Sequence, residues 1–130
     1  KQKRRDRRIE NYLETILILG KKMNHVRAVD ICAHMGFSKP SVSRAMGLLK
    51  DGGFVEVAAN GAITLTPVGL STAQKIYERH TILTNVLLSL GVDEEHAAED
   101  ACRMEHVISD ASFAAINFSV IRSATRQARS

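Results

Sequence analysis

The sequence has no tryptophan, only two cysteines and no long apolar run. Aromatic residues make up 5% of its 130 residues, so stacking on single-stranded nucleic acid is a poor first hypothesis. Cys32 and Cys102 are too few for a disulfide framework. No apolar stretch approaches the roughly 20 residues that cross a bilayer, and no secretory signal follows the charged N-terminus. We therefore expect a cytoplasmic protein without a membrane partner.

The composition is that of a folded protein, and the charge is unevenly distributed. Hydrophobic residues make up 45% and charged residues 25%, which excludes wholesale disorder. Residues 1–60 contain 12 basic and 6 acidic side chains, whereas residues 61–130 contain 6 and 8. A basic first half favours nucleic acid as the partner. The densest run, Lys1-Gln2-Lys3-Arg4-Arg5-Asp6-Arg7-Arg8, is either a solvated terminus or an arm that contacts phosphates.

Three helices are predicted in the basic half. Apolar residues at helical spacing indicate a helix from Arg7 to Leu19 and a short one from about Ala28 to Met35. Ser38 is a good N-cap and Pro40 suits a first turn, so a third helix follows to about Lys50. On the second and third helices we expect the following residues to face the core: Val29, Ile31, Cys32, Met35, Val42, Ala45, Met46, Leu48 and Leu49.

A β-hairpin is predicted next, from two alternating runs around Asn60-Gly61. Two helices joined by a tight turn and followed by a hairpin indicate a winged helix-turn-helix. In that architecture the helix after Ser38 enters the major groove, where Arg44 can reach a guanine edge. The alternative is an ordinary solvated helix face. The predicted DNA-binding residues are Arg27, Ser38, Lys39, Pro40, Ser41, Ser43 and Arg44.

The acidic half predicts further helices. A long helix is expected from Thr66-Pro67 to about Leu90, a second from Asp93 to about Ile108, and a third over roughly 110–121. We expect a mainly α fold with a small β-hairpin: a winged helix-turn-helix (1–66), a helical metal-binding and dimerisation domain (67–122) and a frayed polar tail (123–130). The extra helices add apolar surface, which a symmetric homodimer would cover, and a dimer suits palindromic DNA.

Cys102, Glu105 and His106 stand at i, i+3 and i+4, so all three project from one helix face. A thiolate, a carboxylate and an imidazole together form a partial ligand set for a divalent transition metal. Each has a structural alternative: a core cysteine, a solvated glutamate and a hydrogen-bonded histidine. His80, on the preceding helix, is the best further candidate.

Glu14 and Asn11 lie one helical turn apart on the first helix. If that helix packs across the fourth and fifth helices, both side chains can reach the same pocket. Cys32, on the apolar face of the second helix, is interpreted as a core residue.

Six stretches together resemble the diphtheria toxin repressor family of iron-dependent repressors and manganese transport regulators. The likeness covers residues of about 9 to 121. It implies an N-terminal winged helix, a helical dimerisation domain, a homodimer, and Fe²⁺ or Mn²⁺ as corepressor at operators of metal uptake genes. The stretches are 10–14 (ENYLE), 26–31 (VRAVDI), 38–43 (SKPSVS), 65–69 (LTPVG), 78–80 (ERH) and 102–109 (CRMEHVIS).

The resemblance also implies roles for individual residues. The segment from Cys102 to His106 matches the family's metal-binding helix, with the cysteine of iron-type members. Glu14 and His80 match manganese-type ligands, and Asn11 stands where those members have aspartate and iron-type members have methionine. Thr84 and Ala98 stand where the iron-type ancillary site has glutamate and histidine, so that site is not expected here.

A thiolate ligand disfavours Mn²⁺ relative to Fe²⁺, Co²⁺, Ni²⁺ and Zn²⁺. We expect Fe²⁺ first and Mn²⁺ next, with Zn²⁺, Co²⁺ or Ni²⁺ able to bind in vitro. One alternative is a metal-independent winged-helix regulator that senses a small ligand or oxidation of Cys102. A zinc hydrolase with Glu105 as base is disfavoured because HExxH is absent. No enzyme activity and no organic substrate are expected.

Overall fold

A computed structural model describes the backbone of residues 7–129 and the side chains of residues 7–123. Residues 1–6 of the predicted phosphate-contacting arm lie outside the described residues. The mainly α fold with one hairpin is confirmed. Its elements are α1 (Arg7–Lys22), α2 (Ala28–Met35), α3 (Lys39–Asp51), β1 (Val55–Val57), β2 (Ile63–Leu65), α4 (Pro67–Ser89), α5 (Glu94–Val107) and α6 (Asp110–Arg129).

The chain divides into two compact units, up to Ile76 and from Tyr77. The first unit has an apolar core in which Leu13 of α1, Ile31 of α2 and Leu49 of α3 are completely buried. Buried residues recur at helical spacing within a helix, as Val42, Met46 and Leu49 do in α3, so each helix buries one stripe and leaves its polar face to solvent. The predicted domain limits at 66 and 122 stay a prediction.

The hairpin is joined to the helices by backbone and side-chain hydrogen bonds. Strands β1 and β2 pair antiparallel, and the Ile63 N–H donates to the Val26 carbonyl at 2.7 Å. The Asp30 carboxylate accepts from the Arg27 N–H at 2.9 Å. The Arg27 Nε donates to the Asn60 carbonyl at 3.2 Å. The start of α2 is therefore tied to the turn of the hairpin.

Two predicted core residues are exposed, which corrects the sequence analysis. Val29 is 68% and Leu48 60% exposed. Successive helical residues are rotated by about 100°, so Leu48 cannot share the direction of the buried Leu49. Val29, two positions before Ile31, likewise points away from the core. Cys32 is half-buried and packs against the core, as predicted.

Two helices extend beyond their predicted ends. Helix α1 continues through Gly20 to Lys22. The positive charges of Lys21 and Lys22 interact favourably with the negative end of the helix dipole. Helix α6 continues to Arg129, so the backbone of the predicted frayed tail is helical. The segment 122–129 contains neither proline nor glycine, the residues that most disfavour a helix interior. None of the described helices is both long and apolar enough to span a membrane.

Asp93 caps α5, as predicted. Its carboxylate accepts from the His96 N–H at 3.1 Å and lies 2.7 Å from the His96 Nδ1. These hydrogen bonds lower the pKa of Asp93, and the nearby carboxylate raises the pKa of His96. The capping interaction therefore strengthens as the pH falls through the titration of His96 and is lost when Asp93 itself is protonated.

Gly69 allows the first turn of helix α4 to lie directly against the backbone of Phe54, just before β1. A Cβ at this position would lie 1.9 Å from the Phe54 carbonyl oxygen. The Gly69 N–H donates to the Thr66 Oγ1 at 3.1 Å, and that hydroxyl donates to the Gly53 carbonyl. The backbone therefore cannot move aside without losing these hydrogen bonds.

We predict that Gly69→Ala lowers the free energy of unfolding by roughly 1–3 kcal/mol or more, because the added methyl overlaps backbone atoms. Gly47→Ala is the matched control. A Cβ at Gly47 meets nothing within 4 Å, so this helical substitution should be stabilising by about 0.4–1 kcal/mol. Urea unfolding followed by circular dichroism measures both. Equal effects of the two substitutions would contradict the close approach at Gly69.

Candidate metal centre and DNA-binding surface

The predicted metal-ligating residues of α5 come together in the second unit. One ligand atom from each of Cys102, Glu105 and His106 lies within 4.8 Å of the others. The i, i+3, i+4 spacing produces this convergence because these positions share one helix face. Separations of this size are small enough for side-chain adjustment to bring three donors to one ion at about 2.0–2.3 Å.

Glu105 is the centre of this cluster. Its side chain is 0% exposed, and its Oε2 lies 3.0 Å from the Nδ1 of His80 on α4. Its Oε1 lies 3.2 Å from the Nε2 of His106. Burying a carboxylate is costly unless nearby groups compensate its charge. The imidazoles of His80 and His106 therefore lie next to the buried carboxylate, where its negative charge must be compensated.

The side chains of this cluster differ in their exposure to solvent. The His106 side chain is 3% exposed, the His80 side chain is 28% exposed, and Cys102 is exposed. The candidate ligands comprise one thiol, one carboxylate and two imidazoles, a mixture suited to Fe²⁺, Co²⁺, Ni²⁺ and Zn²⁺. These residues thus fit a divalent transition metal.

Arg79 is a structural residue of this unit that the sequence analysis missed. It is buried, its Nη1 donates to the Ile108 carbonyl at 3.2 Å, and its guanidinium pairs with Asp110. The same group lies 4.9 Å from the centroid of the Phe113 ring. These contacts fix the corner between α5 and α6, two residues beyond His106. The available signal was the single arginine of α4, adjacent to His80.

Glu14 and Asn11 belong to α1 of the first unit. Glu14 is buried and Asn11 half-buried there, and their contribution to a metal site stays a prediction. Ala98 has no donor atom, and the Thr84 hydroxyl donates to the His80 carbonyl within α4 at 2.7 Å. Neither position therefore offers the carboxylate or imidazole of an ancillary site.

The predicted DNA-binding residues lie together on the first unit. Ser38 accepts from the Ser41 N–H as the cap of α3, at 3.4 Å, and its hydroxyl donates to the Ser41 Oγ at 2.9 Å. The first turn of α3 contains no acidic residue, and the backbone N–H groups at its N-terminus favour the binding of anions. All seven predicted contacts are exposed: Arg27, Ser38, Lys39, Pro40, Ser41, Ser43 and Arg44. Their contacts with DNA stay a prediction.

Comparisons with known proteins match both halves of the chain. Residues 6–63 match the model of the iron-dependent repressor N-terminal DNA-binding domain. Residues 66–119 match that of the iron-dependent repressor metal-binding and dimerisation domain. The transcriptional regulator MntR of Salmonella typhimurium is 40% identical over 101 residues, which cover 78% of this chain and 64% of that protein.

Two further relatives extend the comparison. An uncharacterized HTH-type transcriptional regulator of Methanocaldococcus jannaschii is 33% identical over 104 residues, 78% of this chain and 83% of that protein. A solved structure described as a manganese-dependent transcriptional repressor in complex with manganese has a TM-score of 0.78 at 26% identity, over 85% of this chain and 51% of that one. The chain thus spans about half to two thirds of several relatives.

The fold and the two matched domains are those of winged-helix proteins with a helical metal-binding domain. The chain belongs to the iron-dependent repressor family, which is the diphtheria toxin repressor family. The resemblance carried by its sequence motifs is confirmed.

We predict that Co²⁺ binds with a thiolate-to-metal charge-transfer band in the near ultraviolet. Cys102→Ser should abolish this band, whereas Cys32→Ser, at the other cysteine, should retain it. His106→Ala should weaken Co²⁺ binding by at least about tenfold, since loss of even an outer partner of a metal ligand costs 10–100-fold. The control is His34→Ala, because His34 is an exposed residue of α2. Absorption titration measures both effects, and a band that persists in Cys102→Ser would refute this assignment.

Proposed function

We propose that this chain is a metal-dependent transcriptional repressor. Loaded with Fe²⁺ or Mn²⁺, its homodimer binds double-stranded operator DNA and controls metal uptake genes in the cytoplasm. The observation that carries the proposal is the buried Glu105 carboxylate between His80 and His106, next to Cys102, in a chain that also contains a capped winged helix-turn-helix. Membership of the iron-dependent repressor family favours this function over metal-independent sensing.

The proposed metal ligands are His80, Cys102, Glu105 and His106, with Glu14 and Asn11 as further ligands on the basis of the sequence resemblance. When bound, the divalent ion supplies the positive charge that offsets the buried carboxylate. The Cys102 thiolate favours Fe²⁺, whereas the descriptions of two similar solved structures specify manganese. We propose Fe²⁺ or Mn²⁺ as the cellular metal, with Zn²⁺, Co²⁺ and Ni²⁺ as substitutes in vitro.

Helix α3 is the proposed DNA-recognition helix. Its exposed hydroxyls can donate to phosphates or base edges, and Arg44 can bond a guanine edge in two places. Lys39 and Arg27 would contact phosphates, which predicts steep salt dependence. The Arg27 Nε bond to the hairpin keeps its guanidinium beside the wing.

A homodimer is supported by the apolar surface of the second unit. Val107 of α5, together with Phe118 and Ile121 of α6, is more than half exposed. Exposed apolar side chains of this size are typical of an interaction surface when they are contiguous. Two DNA-recognition helices one DNA turn apart would then meet two half-sites.

Metal and DNA binding are coupled in this proposal. A coupling free energy of about 1–3 kcal/mol corresponds to 5–150-fold tighter DNA binding with metal. The coupling is reciprocal, so operator DNA tightens metal binding by the same factor.

We predict that a chelator weakens binding to a duplex by roughly 5–150-fold. The duplex is selected from a random pool by the Mn²⁺-loaded or Fe²⁺-loaded protein, and fluorescence anisotropy measures the affinity. His106→Ala and Glu14→Gln should reduce this metal response, while His34→Ala keeps it. DNA affinity that is unchanged by chelator, or a full response in His106→Ala, would contradict the proposed function.

We also predict that Lys39→Ala reduces the slope of log affinity against log salt by about 1, because one phosphate contact is lost. Lys75→Ala is the matched control, since Lys75 is an exposed lysine of α4 outside the predicted DNA-binding residues. The same anisotropy assay at several salt concentrations measures both slopes. Equal slopes in wild type and Lys39→Ala would remove Lys39 from the DNA interface.

A further inference from the structure

A cavity of about 270 Å³ in the first unit contains none of the proposed metal ligands in its lining. It is lined by residues of α1 and α3 and by Phe37, which precedes the cap of α3. Its volume equals that of about nine water molecules and lies just below the roughly 300–1,000 Å³ of typical ligand pockets. The cavity can therefore hold only a small molecule.

Tyr12 lines this cavity and contributes a hydroxyl group to it. The residue is 3% exposed, and its ring meets that of Phe37 edge-on, with centroids 6.0 Å apart. Burial raises the pKa of Tyr12, so the hydroxyl stays protonated at neutral pH and remains a donor. The hydroxyl can therefore donate a hydrogen bond to an oxygen of a ligand in the cavity.

The charged part of the lining consists of two arginines. Arg8 of α1 and Arg44 of α3 both line the cavity, together with the Ser41 hydroxyl. No acidic side chain among the described residues lines it. Guanidinium groups bind carboxylates and phosphates through paired, charge-assisted hydrogen bonds. The polar rim is therefore complementary to an organic or inorganic anion.

The apolar part of the lining distinguishes between these anions. Ile9, Phe37 and Leu48 line the same cavity, and Leu48 is 60% exposed. An inorganic anion or a DNA phosphate would leave these side chains unused. A molecule with a ring or a short apolar body would remove their surface from water.

We propose that this cavity binds a small amphipathic organic carboxylate. The carboxylate meets the arginines, and the apolar body packs against Phe37 and Leu48. Because Ser41 and Arg44 are also predicted DNA contacts, the bound carboxylate competes with operator DNA. This competition rests on the proposed function, whereas binding in the cavity does not.

The binding step is tested by NMR titration of the metal-free and DNA-free chain with sodium benzoate. We expect amide shifts confined to the cavity residues and a Kd on the order of 1 mM. Benzamide, the uncharged analogue, and inorganic phosphate should each bind at least about tenfold more weakly, because each lacks one half of the recognised chemistry. Absence of localised shifts, or equal binding of phosphate or benzamide, would overturn the proposal.

Two pairs of variants locate the site. Arg8→Gln should weaken benzoate binding by about tenfold through loss of a charge-assisted bond, whereas Arg7→Gln, one residue earlier and outside the lining, should not. Leu48→Ala should weaken it by about threefold through loss of apolar contact, whereas Leu70→Ala, an exposed leucine of α4, should not. In each pair, the lining variant must weaken benzoate binding more than its control. Equal effects on benzoate affinity within either pair would overturn the assignment of the site.

The competition step uses the duplex and anisotropy assay described above. With 10 mM benzoate and a Kd on the order of 1 mM, DNA binding should weaken by about tenfold, relative to sodium chloride at equal ionic strength. An unchanged DNA affinity despite benzoate shifts in the cavity would overturn the competition. If metal has no effect on DNA affinity but benzoate still shifts the cavity resonances, the proposed function is wrong and the cavity assignment is retained.

Discussion

The structure of the second unit depends on the compensation of one buried negative charge. Glu105 has no exposed surface, and both of its oxygens face imidazole nitrogens of His80 and His106. A carboxylate in this position is tolerated only where positive charge or strong donors surround it. The proposed metal dependence follows from this constraint, since a divalent cation satisfies the carboxylate and the adjacent Cys102 thiolate together.

Much of this arrangement could be predicted from the sequence because its causes are local. Ser38 and Asp93 are capping residues whose partners lie three positions away, and Asn60-Gly61 marks the hairpin. The spacing of Cys102, Glu105 and His106 determines one helix face whatever the rest of the chain does. Such features require only the periodicity of a helix or the geometry of a turn.

The features that escaped prediction depend on long side chains and on packing between distant segments. The partners of Arg79 lie 29 and 31 residues further along the chain, so no local pattern indicated them. Leu48 was expected in the core because it is apolar, but only the packing of α3 decides that the neighbouring Leu49 is buried instead. The cavity beside Tyr12 has no sequence signature, because its lining joins two helices and a loop.

Arg79 contacts the Ile108 carbonyl, Asp110 and the Phe113 ring, and it is not one of the proposed metal ligands. Even so, its guanidinium decides the direction in which α6 leaves the preceding helix, and with it the direction of the apolar face that contains Phe118 and Ile121. A lysine would keep the charge but could not reach the Ile108 carbonyl, Asp110 and the Phe113 ring at once, since it lacks the planar fork. Arg79, one position before a proposed metal ligand, thus orients the apolar face that the proposed homodimer would bury.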